Sequence, residues 1–158
     1  MDNLNKCLRV AGFLDNSLVN GEGLRSVLFV SGCRHKCPGC HNASMQAFDY
    51  GDSVSLKEIL GRIEKNVPLI KGVTFSGGDP FEHADVLSEL AEEIKDMGLN
   101  IWCYSGYTYE EILNSNDKSK ISLLNKVDVL VDGRFDASKK EGAPKYAGSS
   151  NQRILKLS

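Results

Sequence analysis

Apolar residues along this chain fall into two alternating patterns, short continuous runs and longer amphipathic stretches. "RSVLFVSG" is a β-branched, apolar run and predicts a buried strand near 25–31. "SLKEILGRIEKN" then takes a helical period. Leu56, Ile59, Leu60 and Ile63 form one stripe, and Ser55 and Glu58 have capping-box spacing. "KGVTFSGG" predicts a second strand that runs into glycines. "DPFEHADVLSELAEEIKDMG" predicts a helix with Asp79 as cap, Pro80 at the first helical position and Glu82 completing the box. Val86, Leu87, Leu90, Ala91, Ile94 and Met97 line its apolar face, and Gly98 ends it. "LNIWCYSG" and "KVDVLVDG" predict a third and a fourth strand, and "QRILKL" a fifth. Between them Thr108 and Glu111 repeat the box, and Ile121, Leu123 and Leu124 mark a short helix. The early segment "LRVAGFLDNSLVNGEG" reads as extended, with a Gly-rich turn at Asn20–Gly23.

Strand–helix alternation implies an α/β fold with a parallel sheet and helices packed on it. Sites in such sheets gather beyond the carboxyl ends of the strands. The unusual loops all fall there: three cysteines after the first strand, "SGGDP" after the second, "SGY" after the third and "DGRF" after the fourth. A parallel sheet would bring these four loops to one rim. No internal repeat, low-complexity tract or linker interrupts the pattern, so residues 1–158 are expected to form a single domain.

Composition narrows the function classes. The chain is 41% hydrophobic and 25% charged, which suits a globular protein with an ordinary core. Its formal net charge of -2, with acids and bases interspersed, gives no basic patch for a nucleic-acid backbone. No apolar run approaches the roughly 20 residues of a membrane span. "MDNLNKCLRV" lacks the regions of a signal peptide, so a cytoplasmic location is expected, where thiols stay reduced. Five cysteines, three of them clustered, do not make a disulfide framework and point to metal or catalysis.

The cluster is "SGCRHKCPGCHN", with Cys33, Cys37 and Cys40. Thiolates at this spacing can wrap one small centre, and Pro38 and Gly39 favour a tight turn. Iron–sulfur cubanes normally take four thiolates, so three leave one iron open for chemistry. Two other readings share the spacing: a zinc site completed by His35 or His41, and a set of reactive thiols. "SGGDP" adds Gly77 and Gly78, whose backbone groups can meet a ligand at a helix start that favours negative charge. Asp79 reads as a helix cap there. Cys103, beside Trp102 in a strand, reads as a small core residue, and Cys7 as incidental. Arg25 and Arg134 read by default as solvated arginines, with a partner protein or a carboxylate as the alternative contact.

A Cys-x-x-x-Cys-x-x-Cys loop after the first strand and a Gly-Gly-acid turn after the second resemble the radical S-adenosylmethionine (SAM) superfamily. "NGEGLRSVLFVSGCRHKCPGCHN", "FSGGDP", "IWCYSGY", "VDVLVDGRF" and "GSSNQR" together are similar to its branch of activating components of anaerobic, class III ribonucleotide reductase. These motifs run from Asn20 to Arg153. Gly39, where many superfamily members carry an aromatic, and Asp79, where they usually carry glutamate, both fit this branch.

The resemblance implies a partial, open (β/α) barrel with about 4–6 mainly parallel strands, since a closed barrel needs roughly 200 residues or more. It implies that Cys33, Cys37 and Cys40 hold a [4Fe-4S] cluster whose fourth iron is chelated by SAM. Gly39, Cys40 and His41 would lie against the cluster or SAM, and Gly77, Gly78 and Asp79 would meet the methionine end. The "SGY" loop and Asp132 would share the rim, with Tyr104 or Tyr107 available to stack on adenine. One electron, from a flavodoxin or ferredoxin-type reductant, would cleave SAM. The resulting 5′-deoxyadenosyl radical would make a glycyl radical on the large subunit of the reductase. The resemblance leaves room for a homodimer, or for a heterotetramer with the reductase. Two further functions share these residues: radical chemistry on another glycyl-radical enzyme or a small molecule such as a pterin-derived compound, and a zinc-stabilised interaction module.

Overall fold

The computed structural model describes residues 2–35, 37, 40 and 43–157. Among these, seven strands form one sheet: β1 (Cys7–Ser17), β2 (Arg25–Val30), β3 (Asp52–Ser55), β4 (Gly72–Gly77), β5 (Asn100–Ser105), β6 (Val129–Asp132) and β7 (Arg153–Lys156). Their order across the sheet is β3-β1-β2-β4-β5-β6-β7. The four central strands β2, β4, β5 and β6 are parallel, while β1, β3 and β7 join antiparallel at the two sides. The sheet is therefore open, with the expected strands at its centre. The extended first segment proves to be a full strand, and β3, with Val54 as its one apolar side chain, joins at the edge.

Four α-helices connect these strands: α1 (Leu56–Glu64), α2 (Ala84–Asp96), α3 (Tyr109–Leu113) and α4 (Lys118–Lys126). The stripe Leu56, Ile59, Leu60 and Ile63 of α1 is buried, as are Leu87, Leu90, Ala91 and Ile94 of α2. They pack with Leu123 and Leu124 of α4 on one face of the sheet, against Leu28, Val30, Val73, Phe75, Ile101, Cys103 and Leu130. Side chains alternate across a strand, so the next residues along point to the opposite face. There, Trp102, Val129 and Val131 make a second small cluster with Tyr104 and Tyr146.

The predicted caps are present, with one difference that bears on the site. Ser55 Oγ accepts from the Glu58 N–H, and Thr108 and Glu111 form a complete capping box. Asp79 caps as predicted, accepting from the Phe81 N–H at 3.0 Å. Its helix, however, begins with a tight 3-10 turn over Pro80–His83 before α2 proper. Glu82 does not close a box there. Its carboxylate, with a side chain only 1% exposed, accepts from the Arg34 N–H at 3.2 Å and from Arg34 Nη1.

Arg25 corrects its default as a solvated arginine. It is fully buried at the start of β2. Nε donates to Thr74 Oγ1 at 2.8 Å, and the terminal nitrogens to the carbonyls of Glu22, Val73 and Asn100. Gly21 and Gly72 leave it room, since a Cβ at Gly72 would meet the guanidinium and one at Gly21 would meet Arg25 Cδ and the Trp102 ring. Trp102 lies beneath, 5.7 Å from its ring centre. Burial pulls this guanidinium down to about 10. The residue is thus a floor for the open face of the sheet and ties β2 to β4 and β5.

Candidate active site

The parallel register sets the site. Val30 pairs with Gly77 and Ser105 with Asp132, so the carboxyl ends of β2, β4, β5 and β6 lie along one edge. Beyond them and over the open face lies a cavity of about 610 Å³, a size usual for a small-molecule site. Cys33, Cys37 and Cys40 line it together with Gly77, Gly78 and Gly106. The first three predicted rim loops thus meet around one space, and Gly133 brings the fourth. Phe29, Tyr104 and Tyr146 give it apolar walls, while Ser76, Asn20 and Gln152 add polar groups.

The cysteine loop begins by packing backbone against backbone. Gly77 has φ 102, a conformation open to glycine at little cost. The Gly78 N–H donates to Val30 O at 2.7 Å, and the Asp79 N–H to Gly32 O at 2.8 Å. Across the loop, the Cys33 N–H donates to Gln46 O at 3.0 Å, and the Cys40 N–H to Cys37 O at 3.2 Å. His83 Nε2 donates to Ser31 O. The short turn Pro80–His83 therefore sends Asp79, Glu82 and His83 toward the residues that carry Cys33.

The structure separates the predicted site residues. Cys33, Cys37, Cys40, Gly77 and Gly78 face the cavity. Gly39 and His41 lie outside the described residues. The Asp79 carboxylate is fully buried and turned into the protein, where His35, Ser105, Gly106 and Phe81 all donate to it. Asp132 is 1% exposed and held by Arg153 and the Tyr109 N–H, so it supports the rim from beneath. Tyr104 reaches the cavity and donates to Tyr146 O at 2.7 Å, whereas Tyr107 packs its ring edge on His35. Arg134 pairs with Glu111, and Cys103 is buried in the core.

Other contributors carried weaker sequence signals. Gln152 closes the wall through three hydrogen bonds, donating to Gly133 O and accepting from the Gly148 and Ser149 N–H groups. Phe29, Ser76 and Tyr104 follow from strand alternation, being one residue out of phase with the core positions. From the sequence His35 reads as a zinc ligand or as an ordinary loop residue. Its Nε2, Cys33 Sγ and an Asp79 oxygen all lie within 4.8 Å of one another. Yet His35 Nε2 already donates to Asp79 Oδ2 at 2.6 Å, so the pair bonds to itself rather than completing a ligand set. Burial pushes the Cys37 thiol up, opposed by a hydrogen bond with the Phe135 backbone. A bound metal ion reverses such a shift by deprotonating a coordinating thiol.

Comparison with known proteins places the chain in a family. The profile of a family described as a 4Fe-4S single cluster domain matches residues 19–155. A protein of Haemophilus influenzae named anaerobic ribonucleoside-triphosphate reductase-activating protein is 33% identical over 151 residues, covering 90% of this chain and 94% of its own. The chain belongs to the anaerobic ribonucleoside-triphosphate reductase-activating protein family. The Escherichia coli K12 member is 36% identical over 89% of this chain and 93% of its own, and the phage T4 member 34% identical over 86% of each. A solved structure of QueE from Escherichia coli overlaps in part, with a TM-score of 0.47 and 16% identity over 66% of this chain and 52% of that one. The family description supports a 4Fe-4S cluster. Among the described residues, no helix is long and apolar enough to cross a membrane.

Proposed function

We propose that this chain is a glycyl-radical activating enzyme whose protein substrate is the large subunit of an anaerobic ribonucleotide reductase. One observation carries the reading: three thiols and the carboxyl ends of four parallel strands surround a single cavity. The donor set fits a [4Fe-4S] cluster, with Cys33, Cys37 and Cys40 as its ligands and one iron left for SAM. Held by these residues, a cluster would supply one-electron reduction of SAM, giving methionine and a 5′-deoxyadenosyl radical that would take hydrogen from a glycine of the reductase.

The protein's part is to hold, orient and shield. Gly77 and Gly78 put bare backbone beside the cysteine loop, where the methionine end of SAM would lie. The Asp79 backbone belongs to the same turn. Tyr104, Phe29 and Tyr146 offer apolar surface for the adenosine half. The sheet's open edge leaves the cavity accessible to a polypeptide loop, as a protein substrate requires. A flavodoxin or ferredoxin-type donor would supply the electron.

The test is anaerobic reconstitution with iron and sulfide, reduction, and measurement of 5′-deoxyadenosine. The wild-type chain should turn brown and release it, and alanine at Cys33, Cys37 or Cys40 should abolish release. Release retained in any one of these variants would remove that residue from the ligand set.

A further inference from the structure

His35 and Asp79 form a buried pair of titratable groups beside the cavity, and the proposed chemistry uses neither side chain. The carboxylate is 0% and the ring 5% exposed, with Nε2 and Oδ2 2.6 Å apart. A carboxylate offers about four acceptor positions, and this one meets four donor groups. Oδ2 takes His35 Nε2 and the Gly106 N–H, Oδ1 takes the Phe81 N–H, and Ser105 Oγ lies within 3.0 Å of both oxygens. No acceptor position remains for the amine of a ligand. An ionised carboxylate can only accept, so the contact with Oδ2 requires the His35 Nε2 to be the donor.

The ring is fixed on its other sides as well. Tyr107 meets it edge-on at 4.5 Å, and a Cβ at Gly106 would overlap it. His35 lies midway between Cys33 and Cys37. Both His35 and Cys37 also line a neighbouring groove of about 570 Å³, so the ring is a partition between groove and cavity.

We infer that Asp79 and His35 are a positioning pair that locks the cysteine loop to the turn after β4 and the loop after β5. On the proposed reading of the site, this sets where the cluster stands relative to SAM. It also accounts for aspartate after the two glycines. A glutamate, one methylene longer, could not keep the same four donors at these distances.

The test uses His35→Leu and His35→Gln in the full chain. Gln keeps an N–H within reach of Asp79, and Leu keeps only bulk. In metal-free protein, Leu should speed amide exchange at Arg34 and Gly106 by at least about tenfold, and Gln should largely restore it. After reconstitution, Leu should hold iron like the wild type. It should need about 10–100 times more SAM to convert the electron paramagnetic resonance signal of the reduced protein. Wild-type exchange and wild-type SAM response in His35→Leu would overturn the pair. If that variant does not fold, Asp79→Asn is read the same way, with a wild-type SAM response overturning the inference. Wild-type protein that takes up no iron or ignores SAM would defeat the proposed function instead, and the exchange comparison would still decide the pair.

Discussion

Gly78 presses against Gly32 so closely that a Cβ on Gly78 would stand 2.5 Å from the Gly32 carbonyl oxygen. This contact joins the turn after β4 to the residue before Cys33. Both glycines therefore serve packing first and ligand access second. Gly78→Ala should force the two loops apart, lowering stability by about 1–3 kcal/mol and reducing iron uptake. Gly98→Ala is the control, because φ is +80 there but nothing lies within 4 Å of the added Cβ. It should cost about 1 kcal/mol and leave iron uptake alone. Thermal unfolding and iron analysis check both, and equal iron uptake would contradict the packing role.

Arg25 should tolerate no replacement by lysine. Its guanidinium reaches four acceptors on three segments, the turn at Glu22, β4 and β5, a fork that a single ammonium cannot reproduce. Arg25→Lys should lose about 2–3 kcal/mol, seen as a lower denaturant midpoint at constant slope. An unchanged midpoint would show that the buried floor matters little.

Much of this fold was legible because period and caps agreed. The stripe of α1, the Thr108–Glu111 box and the four parallel strands all follow from local pattern. β1 was harder. Its pairing with β2 shifts register between Val10 and Gly12 and again between Leu14 and Ser17, and such bulges break the two-residue period. β3 is four residues long, and its sequence "DSVS" holds one apolar side chain, too little to announce a strand. In the site, the cysteines and glycines could be read from spacing. Asp79 could be read as a cap, but its burial with His35 and that of Arg25 could not, because they depend on side chains and carbonyls 44–75 residues away in the chain.

The two lone cysteines should react differently. Burial pushes the Cys103 thiol well above its ordinary 9.0, and the residue is 0% exposed, whereas Cys7 is exposed. In native protein at about pH 8, iodoacetamide should label Cys7 and spare Cys103. Cys103→Ala should keep iron and SAM cleavage at a cost of about 1 kcal/mol. Peptide mass mapping reads the labelling, and rapid modification of Cys103 would contradict its core placement.

Glu111 should give the protein an acid-sensitive helix start. Its carboxyl is held below the ordinary 4.5, first by the hydrogen bond from the Thr108 backbone and then by Arg134. A carboxyl depressed in the folded state stabilises fully above its unfolded value, and that share is lost as pH falls through the folded one. Unfolding scans of metal-free protein should show this loss below about pH 4.5. Glu111→Gln should be less stable near neutrality and respond less to acid. Identical acid responses would contradict the box's electrostatic role.

The central claim is that Cys33, Cys37 and Cys40 hold a cluster whose chemistry in this cavity makes a glycyl radical on the reductase. Electron paramagnetic resonance of reconstituted protein, reductant, SAM and anaerobic reductase tests it most directly. The predicted result is a glycyl-radical signal on the reductase that needs SAM and vanishes when any of the three cysteines is alanine. A folded, colourless protein that retains zinc and leaves the reductase without a radical would contradict it.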